Sequence, residues 1–329
     1  MVSEDRTRML EPLHATTSTR PPAARPRRPL GRRILRSWRL YILLAPAVAW
    51  TAVFSYWPLY GIQIAFRDFS PATGLAGGRW VGLKHFVHFV HSYQFEQLLR
   101  NTILLHGYEL LVAFPAAIVL ALLLNAVRQR LFSRFVQIVT FAPYFISVVV
   151  VVAIMVTLLD PQTGVVNALL AAVGIGPIDL LSRVGWFRHL YVLSSVWQTA
   201  GFSAVIYLAA LTAVSPELHE AARVDGASRL RQMWHLDLPT ILPVAMILLV
   251  LNVGVVFANG FEKVLLLQNP LNLDASQVVS TYVYQVGLQS RIPQYSYATA
   301  IGIFNGVINT VLLLLVNHLA RRTARTSLF

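Results

Sequence analysis

Six long stretches of this 329-residue sequence contain almost no charged side chains, and they restrict what the chain can fold into. Each runs for 24 to 29 residues between its flanking charges, and a helix needs about 20 residues to cross a bilayer. The flanking charges are Arg39 and Arg67, Arg100 and Arg128, Arg134 and Asp160, Arg188 and Glu217, Asp237 and Glu262, and Arg291 and Arg321. Because a charge at the bilayer centre costs roughly 2.5 to 3.5 kcal/mol, the pattern predicts an all-α polytopic membrane protein with six transmembrane helices.

The composition supports this interpretation and excludes several classes of function. Hydrophobic side chains make up 56% of the chain and charged ones 12%, about half the charged fraction of a soluble domain. The absence of cysteine excludes disulfides, thiol catalysis and cysteine metal sites. The nine histidines are scattered, and neither His-Glu-x-x-His nor a glycosidase-like carboxylate pair is evident. We therefore predict no catalytic and no metal-binding residues.

Lysine and arginine are distributed unevenly between the two sides of the predicted bundle. Residues 1–39, 128–134, 217–237 and the tail after 320 hold 19 of the 27, and the loops on the other side hold 8. Cytoplasmic loops of membrane proteins carry the excess of positive charge. Both termini are therefore expected to be cytoplasmic.

Residues 1–39 contain ten arginines and three acids, and they contribute +7 of the net charge of +13. This composition is too polar and too rich in proline to build a core. We predict a disordered basic cytoplasmic tail over residues 1–38 that contacts membrane lipid, which is favoured over a nucleic-acid-binding arm. Residues 39–329 form the predicted transmembrane domain.

The loop between the fourth and fifth spans, residues 213–239, carries strong local signals. Ser215 is a candidate N-cap with Pro216 at the first helical position. Gly226 supplies the positive φ that ends a helix. Ser228 is placed to cap a second helix, and Pro239 begins the fifth span. A compact pair of short helices at the membrane surface is expected.

The order of residues in this loop also matches a known motif. Its specified positions are Glu220, Ala221, Ala222, Gly226, Leu236, Leu238 and Pro239. The spacing resembles the EAA loop of ABC importer permeases, which is Glu-Ala-Ala, three residues, Gly, nine residues and Ile-x-Leu-Pro. Only the isoleucine differs, and Leu236 stands there. The structural alternative is a surface helix pair that merely bridges two spans.

Further segments resemble the oligosaccharide branch of these permeases, the LplB type. They are Pro58–Phe69, Trp80–Phe86, Arg100–Thr102, Tyr282–Leu288 and Tyr295–Ala300. The likeness covers about residues 38–329, and within the branch the chain is similar to permease subunits of alginate importers. The resemblance implies the type I permease fold in the inner membrane and import of an oligosaccharide or polysaccharide, alginate or another uronate-rich sugar among them.

The resemblance also implies partners. A second, related but different permease subunit would complete the pathway, two ATPase subunits would bind ATP and Mg²⁺, and an extracytoplasmic solute-binding protein would deliver the sugar. This chain has no Gly-x-x-x-x-Gly-Lys-Ser/Thr phosphate-binding loop, since neither Lys84 nor Lys263 follows glycine. No cofactor is expected in the chain itself.

In this family the EAA loop docks in a cleft of the ATPase. By resemblance, Glu220 and Asp225 would face basic or amide donors there, and Ala221 and Ala222 would keep the contact close. Gly226 would allow the turn.

Polar side chains within the spans are candidates for the substrate pathway. They are Tyr144, Gln198, Asn252, Asn259, Glu262 at the outer end of the fifth span, and Asn305, with Asn309 one turn further on. Membrane-buried amides also bond neighbouring helices. That alternative is favoured for Asn305 and Asn309, which lie in or near a Gly-x-x-x-Gly pattern, and both interpretations stand for Asn252 and Asn259.

Glu109 is the one charge inside a predicted span. Intramembrane charges are functional by default, but its place near Arg100 favours a snorkelling carboxylate or a structural pair over a substrate contact. His219 and His235 are interpreted as solvated loop histidines. The other classes considered are an ion-coupled secondary transporter, which would need more intramembrane acids, and an ABC permease for a different small solute.

Overall fold

The computed structural model describes residues 38–127, 129–256 and 260–324. The predicted tail of residues 1–38 therefore lies outside the described residues except for Trp38, and Asn259 lies outside them as well. Contacts divide the chain into two units, Met1–Leu59 and Tyr60–Phe329, and each is considered by itself.

The described part of the first unit is helical. It consists of α1 (Trp38–Thr51), which contains Pro46, and a π-helical turn at Ala52–Tyr56. A 3₁₀ helix, Trp57–Phe66, follows and continues into the second unit. No side chain of α1 is buried within the chain. A helix that is apolar on all faces is typical of a membrane span.

The second unit is built almost wholly from helices. It contains a two-stranded antiparallel ladder of β1 (Arg67–Asp68) and β2 (Arg79–Trp80), and α2 (Gly74–Gly77) lies between these strands in the chain. The remaining helices follow in chain order. They are α3 (Lys84–Val90), α4 (Phe95–Ala126), α5 (Arg130–Phe141), α6 (Val148–Leu159), α7 (Val165–Ala172), α8 (Val184–Leu211), α9 (Pro216–Val224), α10 (Arg229–Gln232), α11 (Leu238–Val256), α12 (Phe261–Leu267), α13 (Leu273–Ser276), α14 (Val279–Tyr284) and α15 (Tyr295–Ala324).

Five segments among the described residues are long and apolar enough to cross a membrane as continuous helices. They are Trp38–Phe66, Phe95–Ala126, Val184–Leu211, Arg229–Gly254 and Tyr295–Arg321. A sixth crossing exists only if the bent pair Arg130–Phe145 and Val148–Leu159 is one span. These segments agree with the predicted six, with the third one broken.

The break in the third span corrects the expectation of a continuous helix between Arg134 and Asp160. Its two halves meet at 102°. Pro143 lies in the 3₁₀ turn before the break, and Ser147 caps the second half by accepting the Val150 N–H at 3.4 Å. The Gln198 side chain donates to the Ile146 carbonyl at 2.9 Å. Backbone groups freed by a broken membrane helix need such internal partners.

The core of the second unit is layered along the spans. One cluster joins α4, α8 and α12 and contains Leu105, Phe187, Tyr191 and Val264. A second cluster joins α4, α8 and α11 beside the loop of residues 213–239, where Ala117, Ala121, Ala204, Tyr207, Ile241 and Ala245 are buried. Small residues let membrane helices approach closely. The second cluster thus fixes the start of the fifth span against the second and fourth.

At Gly201, α8 also comes very close to the backbone of α5. A β-carbon there would overlap the backbone of Thr140 and Phe141 on α5. A β-carbon at Gly185, near the start of the same helix, would meet no atom within 4 Å. The two glycines form a matched pair for testing the packing of the broken span.

We expect Gly201→Ala to lower the free energy of unfolding by about 1 to 3 kcal/mol, because overpacking must push α5 away from α8. Gly185→Ala should leave it unchanged. Thermal unfolding of the purified protein in detergent measures both. Equal melting temperatures for the two variants would contradict the close approach.

Candidate functional site

The predicted EAA segment forms the short helix α9 with the expected ends. Ser215 caps it by accepting the Glu217 N–H at 3.3 Å, and Pro216 is the first helical residue. At the other end the Ala227 N–H donates to the Ala222 carbonyl at 2.8 Å, and Gly226 adopts φ +76°. A glycine with positive φ ends a helix in this way. The local predictions for this half of the loop are confirmed.

The second half of the loop differs from the expected separate helix. Ser228 accepts the Arg231 N–H at 3.4 Å and starts α10, which is one turn long. A π-helical turn, Met233–Asp237, then carries the chain into α11 without interruption. The helix of the fifth span therefore begins at Arg229 and not at Pro239. The π-helical turn ends two residues before Pro239, which has no N–H to donate.

The solvent-exposed side of α9 carries both acidic and apolar residues. Glu220, Ala221 and Asp225 are exposed, and Val224 is 88% exposed. Ala222 is half-buried behind them. This side of α9 thus presents carboxylates and apolar side chains next to one another.

The last three motif positions have different surroundings. Leu236 and Leu238 are half-buried, and Leu238 packs on the second core cluster. Pro239 is exposed. Leu238 therefore joins the loop to the core, and α9 supplies an exposed face.

Two of the pathway candidates lie together at the break in the third span. The ring of Tyr144 stacks on Phe202 of α8 with centroids 4.0 Å apart. Gln198, one turn before Phe202, is buried and bonded to Ile146. Gln198 therefore bonds a neighbouring segment, which is the alternative to a sugar contact. Tyr144 is 41% exposed.

The other candidates are not gathered into one cluster. Asn252 is exposed on α11, and Glu262 is exposed in the first turn of α12. Asn305 lines a cavity of about 710 Å³ that also contains Tyr284 and Tyr295. Asn309 donates to the Gly254 carbonyl at 2.6 Å, which confirms the packing interpretation for that residue.

Glu109 belongs to a polar cluster that joins three helices. Its carboxylate lies 3.4 Å from the Tyr191 hydroxyl, which donates to it, and 3.5 Å from His106 Nδ1. The Lys263 ammonium donates to the Ser195 hydroxyl at 3.0 Å and lies 5.2 Å from the centre of the Tyr191 ring. These contacts favour the structural pair among the interpretations of Glu109.

Lys263 is nearly inaccessible, with 4% of its surface exposed, and lies outside the candidate spans. Burial lowers its pKa from 10.5 to about 8, against the attraction of Glu109. Gly260 packs on this cluster with φ +82°, and a β-carbon there would overlap the Tyr191 hydroxyl. The backbone that follows the fifth span is therefore seated directly on the cluster.

Similarity to known proteins extends over nearly the whole chain. Residues 113–325 match the family described as binding-protein-dependent transport system inner membrane component. The polygalacturonan/rhamnogalacturonan transport system permease protein YteP of Bacillus subtilis (strain 168) is 42% identical over 90% of this chain and 92% of its own. The chain belongs to this family. Protein LplB of the same organism is 40% identical over 88% of the permease and 91% of its own length.

Solved structures agree with this membership. A chain of the bacterial alginate ABC transporter in complex with alginate pentasaccharide-bound periplasmic protein superposes with a TM-score of 0.83 and is 39% identical. The match covers 91% of the permease and 99% of that chain. The predictions of a type I ABC importer permease, and of a membrane transport subunit in place of an enzyme, are confirmed.

Two features of the permease were not found from the sequence. His219, interpreted as a solvated loop residue, lies 3.2 Å from the buried Asp237 carboxylate, and that interpretation is wrong. The sequence pattern of Lys263 was used only to exclude a phosphate-binding loop, and it did not predict that this lysine is buried. A signal was present in both cases, because an acid at the start of an apolar span and a lysine directly after one each need a partner.

We expect Glu109→Gln to lower the free energy of unfolding of the permease by about 1 to 3 kcal/mol, since the buried Lys263 would lose its opposite charge. Glu96→Gln, at the exposed start of the same helix, is the control and should have little effect. Denaturation in detergent at neutral pH measures both. A loss in Glu96→Gln as large as in Glu109→Gln would contradict the pairing.

Proposed function

We propose that this permease is the pathway-forming subunit of an ATP-driven importer for acidic oligosaccharides. The observation that carries the proposal is the agreement, over about nine tenths of the chain, with permeases whose names specify polygalacturonan/rhamnogalacturonan and alginate. All of these are polyuronates or contain uronate. The outer loops hold 8 Lys and Arg against 6 acids, a small positive excess that favours an anionic sugar.

The solvent-exposed side of α9 is proposed as the docking surface for the ATPase. Glu220 and Asp225 would accept from basic or amide donors of the ATPase, and the exposed Val224 would be covered. Ala221 and Ala222 would keep the approach close because they have no bulk beyond the β-carbon. ATP and Mg²⁺ would be held by the ATPase subunits, and their work would reach this chain through α9.

The proposed assembly has two permeases, two ATPases and an extracytoplasmic binding protein. The second permease would be related to this chain but different from it. Both termini would lie on the cytoplasmic side of the inner membrane, with residues 1–38 as a disordered basic tail against the lipid. Along the pathway, the proposed sugar contacts are Tyr144, Asn252, Asn259, Glu262 and Asn305, whereas Gln198 is committed to the Ile146 carbonyl.

We expect the complete transporter in proteoliposomes to take up radiolabelled trigalacturonate, and to prefer it to maltotriose by about tenfold or more, because the neutral sugar cannot use charge complementarity. Uptake should require ATP inside the vesicles. Equal uptake of both sugars would contradict an acidic substrate. Uptake driven by an ion gradient without the ATPase subunits would instead favour the secondary transporter.

Gly226 offers a test of the docking surface. We expect Gly226→Val to abolish uptake, because a β-branched residue at φ +76° is strained by about 1 to 3 kcal/mol and the turn would reorganise. Gly226→Asn is the matched variant, since asparagine tolerates this conformation, and it should retain uptake. ATP-driven uptake is compared at equal amounts of assembled transporter. Normal uptake by Gly226→Val would remove the coupling role of this turn.

A further inference from the structure

The loop of residues 213–239, called the coupling loop below for its proposed role, contacts the start of the fifth span through one pair of ionisable side chains. His219 lies on α9, and Asp237 is the last residue of the π-helical turn before α11. His219 Nε2 is 3.2 Å from Asp237 Oδ1. The Asp237 side chain is 4% exposed and that of His219 is 22% exposed. The pair therefore bridges two segments that the turn at Gly226 separates along the chain.

His219 is the ionisable side chain nearest to the buried Asp237 carboxylate among the described contacts. The contact is close in distance without hydrogen-bond geometry, since Asp237 Oδ1 accepts no hydrogen bond, and no other described side chain is within ion-pair distance of this carboxylate. Arg223 and Arg229 line the same cavity of about 470 Å³, but Arg229 donates to the Ala126 carbonyl at 3.1 Å. A buried carboxylate without a partner is strongly unfavourable. Movement of α9 away from α11 would leave Asp237 in that state.

Two further contacts stiffen the same joint. The Gln232 side chain, itself buried, donates to the Ala227 carbonyl at 3.0 Å and closes the turn. The Arg229 contact with Ala126 ties the loop to the end of α4. His219 contacts Asp237 in this joint, whereas the next residue, Glu220, is exposed. His219 thus attaches α9 to the span, and Glu220 stays available for the proposed contact with the ATPase.

We propose that His219 and Asp237 form a latch that makes α9 and the start of the fifth span move as one rigid body. His219 is then a positioning residue for transport, because it acts through Asp237 and not on the sugar or on ATP. This inference rests on the proposed docking of the ATPase on α9. A loop that could swing freely would absorb the movement of the ATPase without tilting the fifth span.

The absence of cysteine from the chain allows a direct test of rigidity. Glu217→Cys and Thr240→Cys place spin labels at exposed positions on α9 and α11, and pulsed electron paramagnetic resonance on the complete transporter in nanodiscs gives their distance distribution. We expect one narrow distribution with and without ATP. His219→Leu should broaden it about twofold or more, because the unpaired carboxylate drives the segments apart.

Matched variants keep this test specific. His219→Gln retains a donor and should restore the narrow distribution. The double variant His219→Leu with Asp237→Leu should also narrow it, since apolar packing can replace a buried ion pair. His235→Leu, at an exposed histidine of the same loop that bonds only to the Arg231 carbonyl among the described contacts, should change nothing. A wild-type distribution in His219→Leu overturns the latch.

The consequence for transport is measured as trigalacturonate moved per ATP hydrolysed. We expect this ratio to fall about tenfold in His219→Leu, with ATP hydrolysis maintained, and to recover in His219→Gln. An unchanged ratio in His219→Leu also overturns the proposal. If the wild-type transporter shows no ATP-driven uptake, the proposed function fails, and the distance measurement still decides whether the latch exists.

Discussion

The structure depends on one constraint of the bilayer, which is that polar groups inside it must find partners within the protein. The broken third span shows this directly, since the Ile146 carbonyl is bonded by Gln198 from the fourth span. The sixth span does the same for the fifth, where Asn309 bonds the Gly254 carbonyl. Each such contact removes an unsatisfied group and also fixes two helices to each other.

The same constraint explains where the few charges lie. Glu109 and Lys263 share Tyr191 between them, and the backbone at Gly260 is seated on that phenol. At the other end of the fifth span, Asp237 is paired with His219. Polar contacts therefore hold both ends of this span, through Lys263, Tyr191 and Glu109 after it and through His219 and Asp237 at its start.

The loop of residues 213–239 combines two features. Its capped helix α9 exposes an acidic and apolar face, and its other side is fastened through Arg229, Gln232 and His219. A surface that is proposed to receive work from an ATPase subunit would need both features, because contact without attachment would transmit nothing.

The sequence by itself determined the membrane class, the approximate spans and the ends of α9, since these follow from local rules about charge spacing, Ser215 as a cap and Gly226 as a turn. It also contained the spaced motif that indicated the family. Only the tertiary structure decided that the third span breaks at Ile146 and that Gln198 bonds the carbonyl there. It also decided that His219 contacts Asp237 and that Lys263 bonds Ser195. Such contacts join residues that are far apart in sequence, such as Glu109 and Tyr191, and no local pattern specifies which side chains meet when helices pack.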